Sequence, residues 1–149
     1  MRKFHVIEAF RNDQPVLPMR QTLGSGGYDL ASLYEVTIKP NEIVMIQTGL
    51  KVEMPKNEVM LVFPRSSLGL KKRLMMANNV GVIDSDYFNT PSNEGHIMIP
   101  LYNFGQETVT INKGERVAQG IFTSYETTTD DQPLNLNRFG GFGSTNSNL

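Results

Sequence analysis

The sequence predicts an all-β domain, on three observations. Apolar and polar residues alternate with a period of two in several short runs. Turn-forming residues punctuate those runs at close intervals. Only one segment has the makings of a helix, and it is short. Many short strands separated by turn signals imply an antiparallel sandwich, jelly roll or barrel.

Taken in order, Val36 and Ile38 alternate with Thr37 and Lys39 until Pro40-Asn41 breaks the run. Ile43 to Ile46 is a continuous apolar stretch. Leu50, Val52 and Met54 alternate with Lys51 and Glu53, and Pro55-Lys56-Asn57 supplies the next turn. Val59 to Phe63 is apolar throughout and reads as a strand buried on both faces. Ser66 or Ser67 is placed to cap a helix through Leu68, Leu70 and Lys71, which Gly69 keeps short. Ile97 to Phe104 is a further strand, and Pro100 inside it, having no N–H, predicts an edge or a bulge. Val109 and Ile111 alternate with Thr108 and Thr110 before Asn112-Lys113-Gly114 turns the chain into Val117 to Phe122. No internal repeat is visible.

A chain of 149 residues is expected to fold as one domain with a real core. A formal net charge of −1 offers no strong field for nucleic acid or an anionic membrane, so neither is an expected partner and any basic site must be local. The absence of cysteine excludes disulfides and thiolate metal sites. His5 and His96 are the only histidines and lie far apart, which argues against a histidine-rich zinc site. Met1 to Asp13 carries no long apolar run, and no stretch is long enough to span a bilayer. The expectation is a soluble protein of the cytoplasm. Near Glu126 the composition turns polar, through Thr127-Thr128-Thr129-Asp130-Asp131-Gln132-Pro133. The globular body is therefore expected over residues 1–125 and a flexible arm over 126–149.

That arm ends in Arg138-Phe139-Gly140-Gly141-Phe142-Gly143-Ser144-Thr145-Asn146. A guanidinium forms forked hydrogen bonds to phosphate, an aromatic ring stacks on a base, and glycines let the backbone close tightly round a ligand. Such a segment suits a lid over a nucleotide. Four further clusters sit at strand ends or turns. Gly26-Gly27-Tyr28-Asp29-Leu30 places a carboxylate in a glycine turn. Pro64-Arg65-Ser66-Ser67 brings an arginine and two hydroxyls to the start of the short helix, a workable phosphate site. Gly81-Val82-Ile83-Asp84-Ser85-Asp86-Tyr87 sets two carboxylates and a tyrosine just after an apolar strand, where a carboxylate can orient and deprotonate water. Gly114-Glu115-Arg116-Val117-Ala118-Gln119-Gly120-Ile121 offers the donor and acceptor of Gln119. Lys71-Lys72-Arg73 reads as a solvated face. Walker-type GxxxxGK[ST], GxSxG and HExxH patterns are all missing.

Together and in this order, the five clusters resemble the five motifs of the trimeric deoxyuridine triphosphate nucleotidohydrolases, the dUTPases, from about Gly26 to Thr145. The resemblance implies a distorted jelly roll or β-barrel of the β-clip type, with one short helix and a flexible C-terminal arm. It implies hydrolysis of dUTP to dUMP and pyrophosphate with Mg²⁺, which limits uracil in DNA and supplies dUMP for dTTP synthesis. Asp84 would activate the attacking water, and Asp29 would hydrogen-bond water around the magnesium. Arg65 and Ser66 would contact the phosphates, with Ser67 adding a donor. Asn78 would read the uracil edge, and Gly81, Val82, Ile83 and Met98 join it among the substrate-binding residues. Tyr87 would lie against the deoxyribose and reject ribose, and Gln119 would touch the phosphate side. Arg138 would grip the γ-phosphate and Phe142 would stack on uracil, while Gly143, Ser144 and Thr145 complete the contacts as the arm closes. The family is homotrimeric, the arm of one subunit closing a site built by the other two.

Three places depart from the commoner pattern. Phe88 to Gly95 is an extended Asn/Pro/Ser-rich loop where many relatives have a short glycine turn, Phe139 adds a second ring beside Arg138, and Asn146 replaces a frequent glycine. Two other functions compete. A dCTP deaminase shares the fold, but its catalytic glutamate aligns with Pro100, which has no acid–base group, and Glu94 lies in the loop. A regulatory protein could keep the nucleotide fold and present the Phe88–Gly95 loop to a protein partner. A purely structural jelly roll does not account for the ordered charged motifs.

Overall fold

The computed structural model describes residues 1–142. Gly143, Ser144, Thr145 and Asn146, named above, lie outside the described residues. Eleven strands and one helix follow in order: β1 (Lys3–Val6), β2 (Tyr28–Ala31), β3 (Val36–Ile38), β4 (Ile43–Gln47), β5 (Leu50–Glu53), β6 (Glu58–Pro64), α1 (Ser66–Lys72), β7 (Leu74–Met76), β8 (Gly81–Asp84), β9 (Met98–Asn103), β10 (Val109–Ile111) and β11 (Arg116–Ser124). Short 3₁₀ segments cover Glu8–Asp13 and Ser85–Tyr87. No helix among the described residues is long and apolar enough to cross a membrane.

Every strand pair is antiparallel. The largest sheet runs β2-β11-β6-β8, a second runs β4-β9-β7, and the pairs β1-β5 and β10-β3 flank them. This is the jelly-roll side of the expected architecture. Among the described residues the ladders form four separate sheets and do not close into a barrel. Leu30, Ile38, Ile46, Leu50, Met60, Leu74, Ile99, Leu101, Ile111 and Val117 meet in one fully buried core. Each such side chain contributes about 1.5–3 kcal/mol by leaving water.

The alternating runs at 36–39, 50–54 and 108–111 form strands whose apolar members Ile38, Leu50, Val52 and Ile111 point inward. β6 lies between β11 and β8; Met60 and Val62 on one face are buried, while Leu61 and Phe63 on the other are only partly covered, so the strand is not fully buried on both faces. Three further expectations need correction. Pro100 lies on neither an edge nor a bulge: β9 is the central strand of its sheet and pairs without a break against Met45 of β4. Its carbonyl accepts the Ala77 N–H at 2.9 Å, one residue past the end of β7. The side of the ladder where its own N–H is missing is thus where the neighbouring strand has already turned away, so no bond is lost within either pairing. At α1 the capping position falls to Arg65, in extended geometry with no side-chain cap, so Ser66 and Ser67 are the first helical residues. Arg73, left-handed at φ 54°, ends the helix. Finally, Asp29 does not sit in a glycine turn: Tyr28–Ala31 is a strand, and Asp29 pairs within it against Gln119 of β11.

Candidate active site

Asp84 ends β8, directly opposite Val59 of β6, and the chain then enters the 3₁₀ turn that carries Asp86 and Tyr87. A cavity of about 220 Å³ opens beside this turn. Its protein walls include Asn78 from the β7–β8 turn, Gly81, Val82, Ile83 and Asp84 of β8, Tyr87, and Met98 of β9. Val62, Met76, His96 and Ile97 also line it. Gly81 is a glycine at a close approach, since a Cβ there would stand 3.1 Å from Val62 Cβ.

Tyr87 is buried, and its hydroxyl is held from both sides: it donates to the His96 carbonyl at 2.7 Å and accepts from Asn93 Nδ2 at 2.8 Å. Burial raises the phenol above its ordinary range, with the Asn93 hydrogen bond and the Arg138 charge pulling the other way. The His96 ring is buried against Phe10 and accepts the Gly49 N–H on Nε2 at 2.9 Å, and burial pushes its pKa down to about 4. It is therefore a neutral acceptor at pH 7.

The C-terminal segment lies across the mouth of this cavity. β11 ends at Ser124, Tyr125 Oη donates to the Lys56 carbonyl at 3.0 Å, and residues 126–137 are exposed and without strand or helix. Arg138 then donates to Asp84 Oδ2 at 2.5 Å and to Asp86 Oδ1 at 2.7 Å. The Phe139 carbonyl accepts the Ser92 N–H of the Phe88–Gly95 loop at 3.2 Å. Gly141 and Phe142 join the cavity lining. A Cβ on Gly141 would stand 2.8 Å from Tyr87 Cε1, so only glycine lets the backbone lie on that ring. Phe139 points away and is 70% exposed.

A second group of polar residues gathers at the other end of the large sheet. Gln119 of β11 pairs with Asp29 of β2 on one side and Phe63 of β6 on the other. The Asp29 carboxylate, 10% exposed, lies 3.7 Å from Arg65 Nε and 3.4 Å from Arg116 Nη1. Ser66 and Ser67 stand at the first turn of α1 beside Arg65. Two cations around one carboxylate make a polar mouth suited to an anion. Asp84 pairs opposite Val59, whereas Arg65 lies six residues further along the β6 chain. At ~3.3 Å per residue that is about 20 Å. One chain thus brings Asn78, Gly81, Val82, Ile83, Asp84, Tyr87, Met98, Arg138 and Phe142 to the cavity, and Asp29, Arg65, Ser66, Ser67 and Gln119 to a second group whose Arg65 lies far along the chain from Asp84.

Among the described residues, no three His, Cys, Asp or Glu side chains could hold a metal by themselves. Asp29, the one carboxylate of the second group, is already flanked by Arg65 and Arg116, so a magnesium ion there would be held mainly by water and substrate phosphates, with Asp29 reaching it through water. Sequence reasoning missed Arg116, Asp86 and Asn93 as functional candidates. Arg116 stood inside a motif already singled out, and Asp86 beside Asp84. Asn93 has no local signal, because its partner Tyr87 is reached only once the loop is folded.

A dUTPase family model matches residues 13–146. The deoxyuridine 5′-triphosphate nucleotidohydrolase of Lactococcus lactis subsp. lactis is 44% identical over 146 residues, 97% of each chain. That of Desulfitobacterium hafniense strain Y51 is 43% identical over 150 residues, 96% of this chain and 95% of the other. The crystal structure of the Streptococcus mutans dUTPase superposes with a TM-score of 0.80 at 40% identity, covering 84% of this chain and 97% of that one. The dUTPase of phage phi11 of S. aureus shares the fold, with a TM-score of 0.75 at 21% identity over 93% of this chain and 99% of the other. With the family model covering nearly the whole length and relatives matching end to end, the chain belongs to the dUTPase family.

Proposed function

We propose that the chain is a dUTP diphosphatase, releasing dUMP and pyrophosphate. The observation that carries this reading is the cavity itself. It sets the Asn78 amide, the β8 backbone and the Tyr87 ring around one space, with Asp84 at its rim and Arg138 bonded to Asp84. Asn78 and the β8 peptide groups offer donors and acceptors to a pyrimidine edge. Asp84 takes a proton from a water whose oxygen attacks the α-phosphorus, and the bond to the bridging oxygen of the β-phosphate breaks. No covalent intermediate is required. Arg138 moves from the carboxylates to the triphosphate, where it stabilises charge on the departing pyrophosphate. Phe142 covers the base. Bound magnesium would neutralise charge across the phosphates, with Asp29 reaching it through water.

The separation between Asp84 and the Arg65 group supports a shared site. About 20 Å of chain lies between Asp84 and Arg65 in one subunit, so a triphosphate held at Asp84 would meet Arg65, Ser66 and Ser67 only if a second copy supplies them. A homotrimer with three such sites, formed by bodies of residues 1–125 and arms of residues 126–149, satisfies that requirement. In the single chain Arg138 reaches its own Asp84. In the assembly the arm would close over a site built by its neighbours. The enzyme would work in the cytoplasm, keeping uracil out of DNA and supplying dUMP. Deamination is disfavoured by Pro100, buried on β9, which leaves the strand no acid–base group at that place.

The test is pyrophosphate release from dUTP, dCTP, dTTP and UTP with Mg²⁺, for the wild type and Asp84→Asn. Turnover confined to dUTP, and lost in a folded Asp84→Asn chain, is expected. A folded wild type that turns over none of the four would refute the reading and bring forward a protein-binding role for the Phe88–Gly95 loop.

A further inference from the structure

The Phe88–Gly95 loop is an ordered structure built round one side chain. Asn89, Glu94 and Gly95 take left-handed φ values of 59°, 60° and 82°. The Glu94 N–H bonds the Thr90 carbonyl at 2.9 Å, the Asn89 N–H bonds the Glu94 carbonyl at 3.0 Å, and the His96 N–H bonds the Asn93 carbonyl at 3.1 Å. Thr90 is buried. At the centre, Asn93 Oδ1 accepts from the Gly95 N–H and from Thr90 Oγ1, both at 3.1 Å. The Gly95 N–H can only donate, so the amide oxygen must face it, and Nδ2 is left to point at Tyr87 Oη, 2.8 Å away. The single proton of that hydroxyl is committed to the His96 carbonyl. The phenol is thereby pinned by one donor and one acceptor at the wall of the cavity.

We propose that Asn93 is a positioning residue for sugar selectivity: by fixing the Tyr87 hydroxyl it holds the ring as a rigid wall that a 2′-hydroxyl cannot push aside. This rests on the reading of Tyr87 as the surface that meets the sugar. A ring tethered only by packing could swing to admit the larger ribose. A ring whose oxygen is bonded on both sides must break a buried hydrogen bond to do so, at a cost of about threefold to tenfold in selectivity.

The isosteric change Asn93→Asp tests the bond itself. It retains an oxygen for Gly95 and Thr90 but replaces the donor facing Tyr87 with an acceptor. The hydroxyl must then face a lone pair or give up its bond to His96. Affinities for dUMP and UMP, measured by calorimetry, report selectivity independently of hydrolysis. The preference for dUMP is expected to fall by about threefold to tenfold in Asn93→Asp. It should fall similarly in Tyr87→Phe, which keeps the ring and removes only the oxygen. Combining the two changes should lower it no further. An unchanged preference in either folded single variant, full additivity of the two, or no preference in the wild type would each overturn the proposal. Pyrophosphate release from dUTP by the wild type is scored separately. Its absence would overturn the proposed reaction, while the mononucleotide preference would still decide the role of Asn93.

Discussion

The Arg138 guanidinium lies 2.5 Å from the Asp84 carboxylate, joining a residue of the C-terminal segment to one 54 positions earlier at the end of β8. A second branch of the same guanidinium holds Asp86 at 2.7 Å. Substrate phosphate and these two carboxylates therefore compete for one cation. Arg138→Ala is expected to lower kcat/KM for dUTP by about a hundredfold to a thousandfold, the usual loss for one charge-stabilising donor. Folding stability should change by less than about 1 kcal/mol, because the pair is partly solvated. Steady-state kinetics and thermal melting measure the two effects.

Gly141 lets the arm lie on the Tyr87 ring, with no room for a side chain. Gly141→Ala should keep the thermal midpoint of the body and raise KM for dUTP, since the clash forces the arm off the ring. Melting and initial-rate measurements on the same sample check this. A lowered melting temperature with unchanged KM would place the fault in the fold.

Gly95 combines φ 82° with a Cβ position only 2.4 Å from the Tyr87 carbonyl. Gly95→Ala meets backbone on that side, which cannot move as a flexible side chain could. A loss of about 1–3 kcal/mol in unfolding free energy is expected. Denaturant titration measures it.

His96 links stability to acid. The folded chain holds its ring neutral down to about pH 4, while the unfolded chain takes up that proton near 6.5. Between those values the unfolded state binds more protons, so stability rises with pH there. The contribution is complete above pH 6.5 and is lost as pH falls toward 4, amounting to no more than about 3 kcal/mol. Thermal midpoints recorded across this window should fall with acid in the wild type and fall less in His96→Gln, whose side-chain oxygen can still accept the Gly49 N–H.

Local patterns were legible where burial follows a period of two. Val36–Ile38 and Leu50–Glu53 alternate because one face of each strand meets the core. β1 and β7 were not legible: Leu74–Met76 is apolar throughout and shows no alternation, Lys3–Val6 buries neither face fully, and both take their partners from strands distant in sequence, β5 and β9. Pro100 was misread because a missing N–H says nothing of which flank it faces, and here that flank is the spent end of β7. The serine cap was misplaced by one or two residues because Arg65 reaches the capping geometry through its backbone alone. In the site, Asp84, Tyr87 and Arg138 stood out because carboxylate, phenol and guanidinium are chemically conspicuous. Asn93 did not, being one of several loop asparagines distinguished only by what it touches.

The length of β6 has a genetic consequence. If the base beside one end of that strand and the phosphate-binding arginine just past its other end serve different substrate molecules, no chain can be repaired from within by moving either residue. Two defective chains could nevertheless rescue one another. Arg65→Ala and Asp84→Asn preparations, each inactive alone, should regain part of the activity after being unfolded together and refolded as a mixture. Some sites would then draw an intact carboxylate from one parent and an intact guanidinium from the other.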